Sequence, residues 1–376
     1  MNYFTYKTIL VGFFLLPVIG FGQTDTTYQE EEEDYSMYDD VEDVGNIVTY
    51  CSPKIFDLSP NRFVSLGYDL NSGGDFTSSA EGRFAPDSAV SGSQTSGLVY
   101  HGLRLNANIP VISLSKFVWQ LGGGINQSRI NINDQVGTNP SHNLLSDAIS
   151  KNLTSINLNT TLFKPLNENS FLILQLLAEM NGNYDFKSNQ TTPNLRNNKY
   201  SGTLIWGKRP HDRLQWGLGL SRTYRAGELN YIPVVMYNYT SENRKWGTEI
   251  LFPAKAHYRR KFNPRNILLA GYELEGSSYR LYDTQQLNAK GLKAEGLELR
   301  RSEIRARLDY QRQLVGFLWV GIQAGVIVNY NFNVDELASR DNQDFYRGFF
   351  GDQPFVFSNS MSPMPYINLT LNLVSL

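Results

Sequence analysis

A chain of 376 residues with 41% hydrophobic and 19% charged side chains is long enough for one large or two ordinary globular domains. Its formal net charge is −2, and its single cysteine, Cys51, excludes a disulfide framework and a cysteine-built metal cluster. Beyond residue 22 no stretch approaches the roughly 20 apolar residues of a membrane helix, so a helical membrane protein is excluded while a β-protein fits.

In chain order, Lys7 precedes the apolar run Ile9–Gly20, with small residues at Gly20 and Gly22. This is the pattern of a secretory signal peptide over residues 1–22. Residues 23–45 form an acidic leader: ten acidic side chains and no basic one lie between 25 and 43. The remainder, residues 44–376, then holds 33 basic against 26 acidic groups, about +7. The leader reads as a solvated, disordered periplasmic segment; the alternative is a segment that folds against basic surface. Residues 46–376 read as one domain, in which Cys51 is a small strand residue.

From there the chain alternates apolar and polar residues at period two, the mark of strands with one greasy and one wet face. Val64, Leu66, Tyr68 and Leu70 share a face, and Leu103, Leu105, Ala107 and Ile109 oppose Arg104, Asn106 and Asn108. The same holds over 117–128, 155–162, 172–180, 214–221, 267–278, 301–311 and 318–332; the stretches 75–85, 199–209 and 229–262 are less regular. At the end, Ile367, Leu369, Leu371 and Leu373 oppose Asn368, Thr370 and Asn372. Counting 46–56 as the first strand gives sixteen strands; fourteen is the alternative, because 75–85, 199–209 and 229–262 are less regular.

Connections alternate between long and short. Long ones fall near 86–94, 131–151, 187–198, 283–295 and 333–362; short ones near 110–115, 164–169, 209–212, 241–243, 263–265 and 313–316. Two tight connections, 225–228 and Pro253-Ala254, break the rule on the long side. Short turns on one rim and long loops on the other are the asymmetry of an outer-membrane barrel. Trp119, Trp206, Trp216, Trp246 and Trp319 all lie near the short turns. All but Trp319 are on the apolar face, as an interfacial aromatic girdle requires. The fold class expected is therefore all-β: a transmembrane antiparallel β-barrel of fourteen to sixteen strands.

Because a charge facing lipid at mid-bilayer costs roughly 2–4 kcal/mol, the charged faces must line the lumen. These place Glu249 on one strand, Lys255, His257, Arg259 and Lys261 on the next, and Glu273 and Glu275 on the third. Arg301, Glu303, Arg305, Arg307 and Asp309 follow on the fourth. A three-residue connection in the Asn263-Pro-Arg-Asn266 hairpin sets Lys255 opposite Glu275 and His257 opposite Glu273, with Arg305 and Arg307 beyond the same glutamates. Arg260, on the apolar side, either snorkels at a rim or marks a slip of register. Two readings of the charged wall stay open: a salt-bridge ladder tying strands together, or a pore selecting polar or anionic solutes.

The four histidines, His101, His142, His211 and His257, stand in no triad or metal-ligand spacing, and no Gly-x-Ser-x-Gly motif occurs, so no enzyme is expected. No cofactor, metal or nucleic-acid partner is expected either.

The stretch Trp246-Gly-Thr-Glu-Ile-Leu-Phe-Pro253, followed by Tyr258 and Leu268-Leu-Ala-Gly-Tyr272, is distinctive. With Trp206-Gly-Lys-Arg-Pro210 and Tyr231-Ile-Pro-Val234 before it, it resembles an uncharacterised family of Gram-negative outer-membrane β-barrel proteins, a domain of unknown function. The resemblance implies a barrel in outer-membrane lipid and carries no activity. The function expected is a pore for small polar or anionic solutes. The alternative is a closed structural barrel that binds another envelope protein through its loops or leader.

Overall fold

The computed structural model describes residues 55–80, 93–131, 152–184, 193, 198–224, 229–282, 297–336, 355 and 357–374. The expected signal peptide, the acidic leader, Cys51, His142 and most of the long connections lie outside these residues.

Alternation produces strands wherever it runs clean. The first five are β1 (Arg62–Ala80), β2 (Ser93–Leu114), β3 (Phe117–Asn131), β4 (Leu153–Pro165) and β5 (Ser170–Gly182). Next come β6 (Lys199–His211), β7 (Leu214–Thr223), β8 (Asn230–Thr240), β9 (Trp246–Phe252) and β10 (Lys255–Asn263). The chain continues through β11 (Asn266–Leu281), β12 (Leu297–Val315), β13 (Leu318–Glu336), β14 (Phe357–Met361) and β15 (Met364–Val374). Each pairs antiparallel with its chain neighbour from β1 to β13, while β14 and β15 both lie between β13 and β1. End to end these two make one stave, so the sheet closes as a barrel of fourteen. Closure leaves the sheet with no free first or last strand.

The expected range of fourteen to sixteen strands resolves to fourteen. Ile55 and Phe56 are not in a strand, residues 46–54 lie outside the described residues, and the barrel closes on Arg62 paired with Val374. The stretches 62–70 and 75–80 are one strand because a bulge at Gly73 (φ +86°) absorbs the phase change between them. Leu70 points out before the bulge, and Phe76 points in after it.

The four apolar residues of β15 face outward with 36–53% of their surface exposed, while Asn368, Thr370 and Asn372 are buried inside. Leu66, Leu103, Leu158, Leu218 and Leu308 continue this outer apolar band. A membrane-facing surface is the physical arrangement that makes so much exposed hydrocarbon stable.

The inside is layered. Near the long-loop rim Phe76, Ile130, Leu153, Leu281, Leu299 and Phe332 belong to one buried apolar cluster drawn from β1–β4 and β11–β15. Charged residues occupy mid-height. Toward the short-turn rim lie two small apolar clusters, one of Ile267, Leu269, Trp319 and Val374 and one of Phe163, Phe171 and Met236.

The barrel departs from a cylinder on one side. β10 pairs with β11 only as far as Glu273, with Leu274 N–H donating to Ala254 O at 2.8 Å. Above that point the edge of β11 reaches β5, pairing Arg280 with Gly182 in parallel, and Asn183 N–H donates to Arg280 O at 3.2 Å. Lys199, on the inner face of β6, bonds Glu298 on the outer face of β12. Glu298, Arg300 and Ser302 are accordingly buried although they point away from the apolar cluster. The upper ends of β11 and β12 thus lean into the barrel.

Replacing outward Leu369 by Arg is expected to destabilise the vesicle-folded barrel by roughly 2–4 kcal/mol. Asn157→Arg, on the inner face of β4, should cost well under half as much. Urea titration of both variants refolded in lipid vesicles checks this, and equal losses would contradict the assignment of faces.

Candidate functional site

The charged tier is built by β1, β2 and β9–β12. Strand alternation aims its members inward, and closure brings β1 and β2 round to face β11 and β12. Arg305 is at the centre. Only 1% exposed, it meets Asp69 at 3.2 Å, Glu303 at 2.6 Å and Glu275 at 3.3 Å. Arg104 of β2 donates through Nη1 and Nη2 to the two carboxylate oxygens of Glu275, at 2.9 and 2.8 Å, and through Nε to Asp69 at 2.5 Å. β2 and β11 are not neighbours in the sheet, so this bidentate pair spans the lumen. Bidentate guanidinium–carboxylate pairs are the strong, geometrically specific kind.

The other sequence-predicted residues surround this centre. Arg301 holds Glu303 at 2.6 Å and lies 4.5 Å over the Tyr100 ring. Arg307 meets Glu273 at 2.6 Å, and His257 Nε2 lies 3.6 Å from the same carboxylate. Asp309 accepts from Arg62, Gln311 and Gln323. Arg259 donates to Glu249 at 2.5 Å and to Thr240 Oγ1 at 2.7 Å.

Two ladder members are engaged lower down. Glu249 also accepts from the N–H and hydroxyl of Ser59, both at 2.8 Å, and Lys261 donates to Asp57. Residues 55–61 are thereby strapped across the short-turn rim, with Phe56 N–H on Asp212 O and Phe56 O accepting from Thr240.

The expected register of β10 on β11 is off by two. Lys255 pairs with Glu273 and His257 with Gly271, not with Glu275 and Glu273. The hairpin is tighter than a three-residue connection: Asn263 pairs with Asn266, and Asn263 Oδ1 accepts from Arg265 N–H at 2.9 Å. Phe262 then bulges outward. Gly271 has room for nothing larger, since a Cβ there would fall 1.9 Å from Ala256 O. Arg260 lies outward beside Trp246 near the short-turn rim, so it is in register.

Of the tryptophans, Trp206 and Trp216 meet edge to face at 6.0 Å on the outer surface, Trp246 stacks with Tyr258 at 6.2 Å, and Trp119 Nε1 donates to Thr160. Trp319 is a correction. It points inward, 6% exposed, because it shares the phase of Gly321 and Gln323.

Asp69 and Arg104 are the two central residues absent from the charged wall expected of residues 249–309. Both stand on polar faces already visible in the alternation, but only closure brings them to β12.

Residues 120–373 match the family described as Domain of unknown function (DUF6268). The chain belongs to this family. No curated protein matches it. Among solved structures, the DUF6268 chain is similar to an outer membrane channel from Pseudomonas putida F1, at 9% identity over 87% of this chain and 98% of that one, TM-score 0.38. It is also similar to the Pseudomonas putida toluene transporter TodX, at 10% identity over 87% and 93%, TM-score 0.34. A Pseudomonas aeruginosa FadL homologue matches at 9% over 84% and 90%, TM-score 0.30.

Two cavities flank the charged tier of this DUF6268 barrel. One of about 440 Å³ is lined by Arg104, Glu275, Asn126, Asn157, Gln175 and Lys255 among others. The second, of about 510 Å³ on the short-turn side, is lined by Pro60, Glu249, His257, Arg307, Gln311 and again Lys255. Lys255 and Glu273 border both.

Arg305→Met would leave Asp69, Glu275 and Glu303 undercompensated in a buried site, a loss of about 3–5 kcal/mol. Adding Glu303→Gln should restore part of it, with a coupling of roughly 0.5–3 kcal/mol. A double-mutant cycle by urea titration reads this coupling, and strictly additive losses would show that the network is not one unit.

Proposed function

We propose that this protein is an outer-membrane channel, short-turn rim toward the periplasm, that passes small polar or anionic solutes through a constricted, charge-lined lumen. The observation that carries the reading is the position of Lys255. It borders both luminal cavities, and among the described residues no carboxylate forms an ion pair with it. Every other cation of the tier is matched to a named carboxylate or, as with His257, lies close to one. A cation whose cross-strand neighbour Glu273 is already engaged by Arg307 favours an anion at that point.

The same geometry makes passage narrow. The Arg104–Glu275 bridge divides the lumen, and residues 55–61 cross beneath it. A wide, water-filled pore of the general-diffusion type does not fit these contacts. Small solutes moving between two cavities of a few hundred Å³ do. The outward apolar band supports the membrane location.

In planar bilayers the purified protein should give a small, anion-biased conductance. Lys255→Glu should shift the anion-to-cation permeability ratio toward cations by about tenfold, equivalent to ~1.4 kcal/mol. Reversal potentials in a salt gradient measure it. No current above the bare bilayer, or a ratio indifferent to Lys255→Glu, would sink the channel reading.

A further inference from the structure

The short β9–β10 hairpin leaves a notch in the wall. β8 pairs with β9 from Val235 to Thr240, and β9 ends at Phe252, short of the Asn230–Val234 stretch of β8. On the other side of the notch, β11 has no β10 partner beyond Leu274 and meets β5 only near Arg280. The floor of the notch is the Phe252–Ala254 turn. Because β11–β13 lean inward here, a cavity of about 140 Å³ opens between their outer face and the inner faces of β5–β8.

The lining is unlike that of the luminal cavities. Ile173, Leu177, Ile205, Val234, Leu251 and Leu274 supply apolar surface, alongside Gln175, Ser201, Thr203, Ser221 and Thr223. Of its hydroxyls, Thr203 and Ser221 bond each other at 2.7 Å, and Ser201 accepts from Tyr224 N–H at 3.4 Å. Inward-facing Ile205 and Val234 give this stretch of the inner wall an apolar surface beside the notch. Gln175, Leu177, Leu251, Ala254 and Leu274 also border the 440 Å³ cavity, so the two spaces abut.

We propose that this notch cavity is a binding site for a compact apolar molecule of monocyclic-hydrocarbon size, entering from the lipid side and adjoining the lumen. The size argument is direct: an apolar cavity of about 150 Å³ takes up benzene. The inference deepens the channel reading, on which it rests, by adding an apolar class of cargo admitted through the wall.

The probe is fluorobenzene, followed by ¹⁹F NMR with the full-length protein in lipid nanodiscs. A saturable shift is expected, absent from empty nanodiscs. Val234→Trp should weaken it at least roughly tenfold by filling the space. Leu251→Ala, which enlarges the cavity, should tighten binding of the bulkier 2-fluoro-m-xylene and guards against misfolding of the tryptophan variant. A shift that does not saturate, or that survives Val234→Trp with Leu251→Ala indifferent, identifies partition into lipid and overturns the site. Binding is read without current. A barrel that conducts but takes no fluorobenzene overturns this inference alone, and one that binds but does not conduct overturns the channel reading alone.

Discussion

Within the hydrocarbon region a backbone N–H or C=O has no water to turn to, so every strand edge must find another strand. That requirement shapes this barrel more than any side chain. β10 ends at Lys255, whereas β11 runs on to Leu281, which leaves the upper edge of β11 without its sequence neighbour. The edge finds β5 instead. Because β5 lies on the other side of the β6–β10 segment, β11 and β12 must lean inward, and the remaining strands close round an apolar cluster that receives no residue from β5–β10.

The charged tier follows from the same geometry. Bringing β11 toward β2 puts Glu275 within hydrogen-bond reach of Arg104, and Arg305 can then serve carboxylates from β1, β11 and β12 at once. Removing so many ions from water is costly unless each is paired, and here the pairing is nearly complete. Lys255 is held least tightly, opposite a Glu273 that Arg307 already engages, and it stands where the two polar cavities meet. The lean also separates the outer face of β11 from the inner faces of β5–β8, and the apolar notch cavity occupies that separation.

Much of this was legible in the chain. Period-two alternation gives the strands, their faces and the outward leucines of the last one, and the charged faces of β10–β12 identify most of the tier. Other features depend on closure, which local pattern does not encode. Asp69 and Arg104 look like ordinary polar-face residues until β1 and β2 come round to β12. The β10–β11 register shifts by two because Asn263 tightens the turn and Phe262 bulges. Trp319 is different: its phase, that of Gly321 and Gln323, already sets it off the apolar face in the sequence. Most instructive is the Pro253-Ala254 turn, an exception to the long-loop rule in the sequence. It is the cause of the unpaired edge on which the inward lean depends.

The central claim is that β11 crosses to β5 at the long-loop end. It is tested most directly by cysteines at Gly182 and Arg280, paired in register here, in a Cys51→Ser background. In the membrane-inserted protein, mild oxidation should cross-link the pair, moving the band on a non-reducing gel, while either single variant stays unlinked. In a plain cylinder of fourteen staves the β6–β10 segment would keep β5 and β11 apart. Two thiols that label freely yet never form the disulfide would contradict the account.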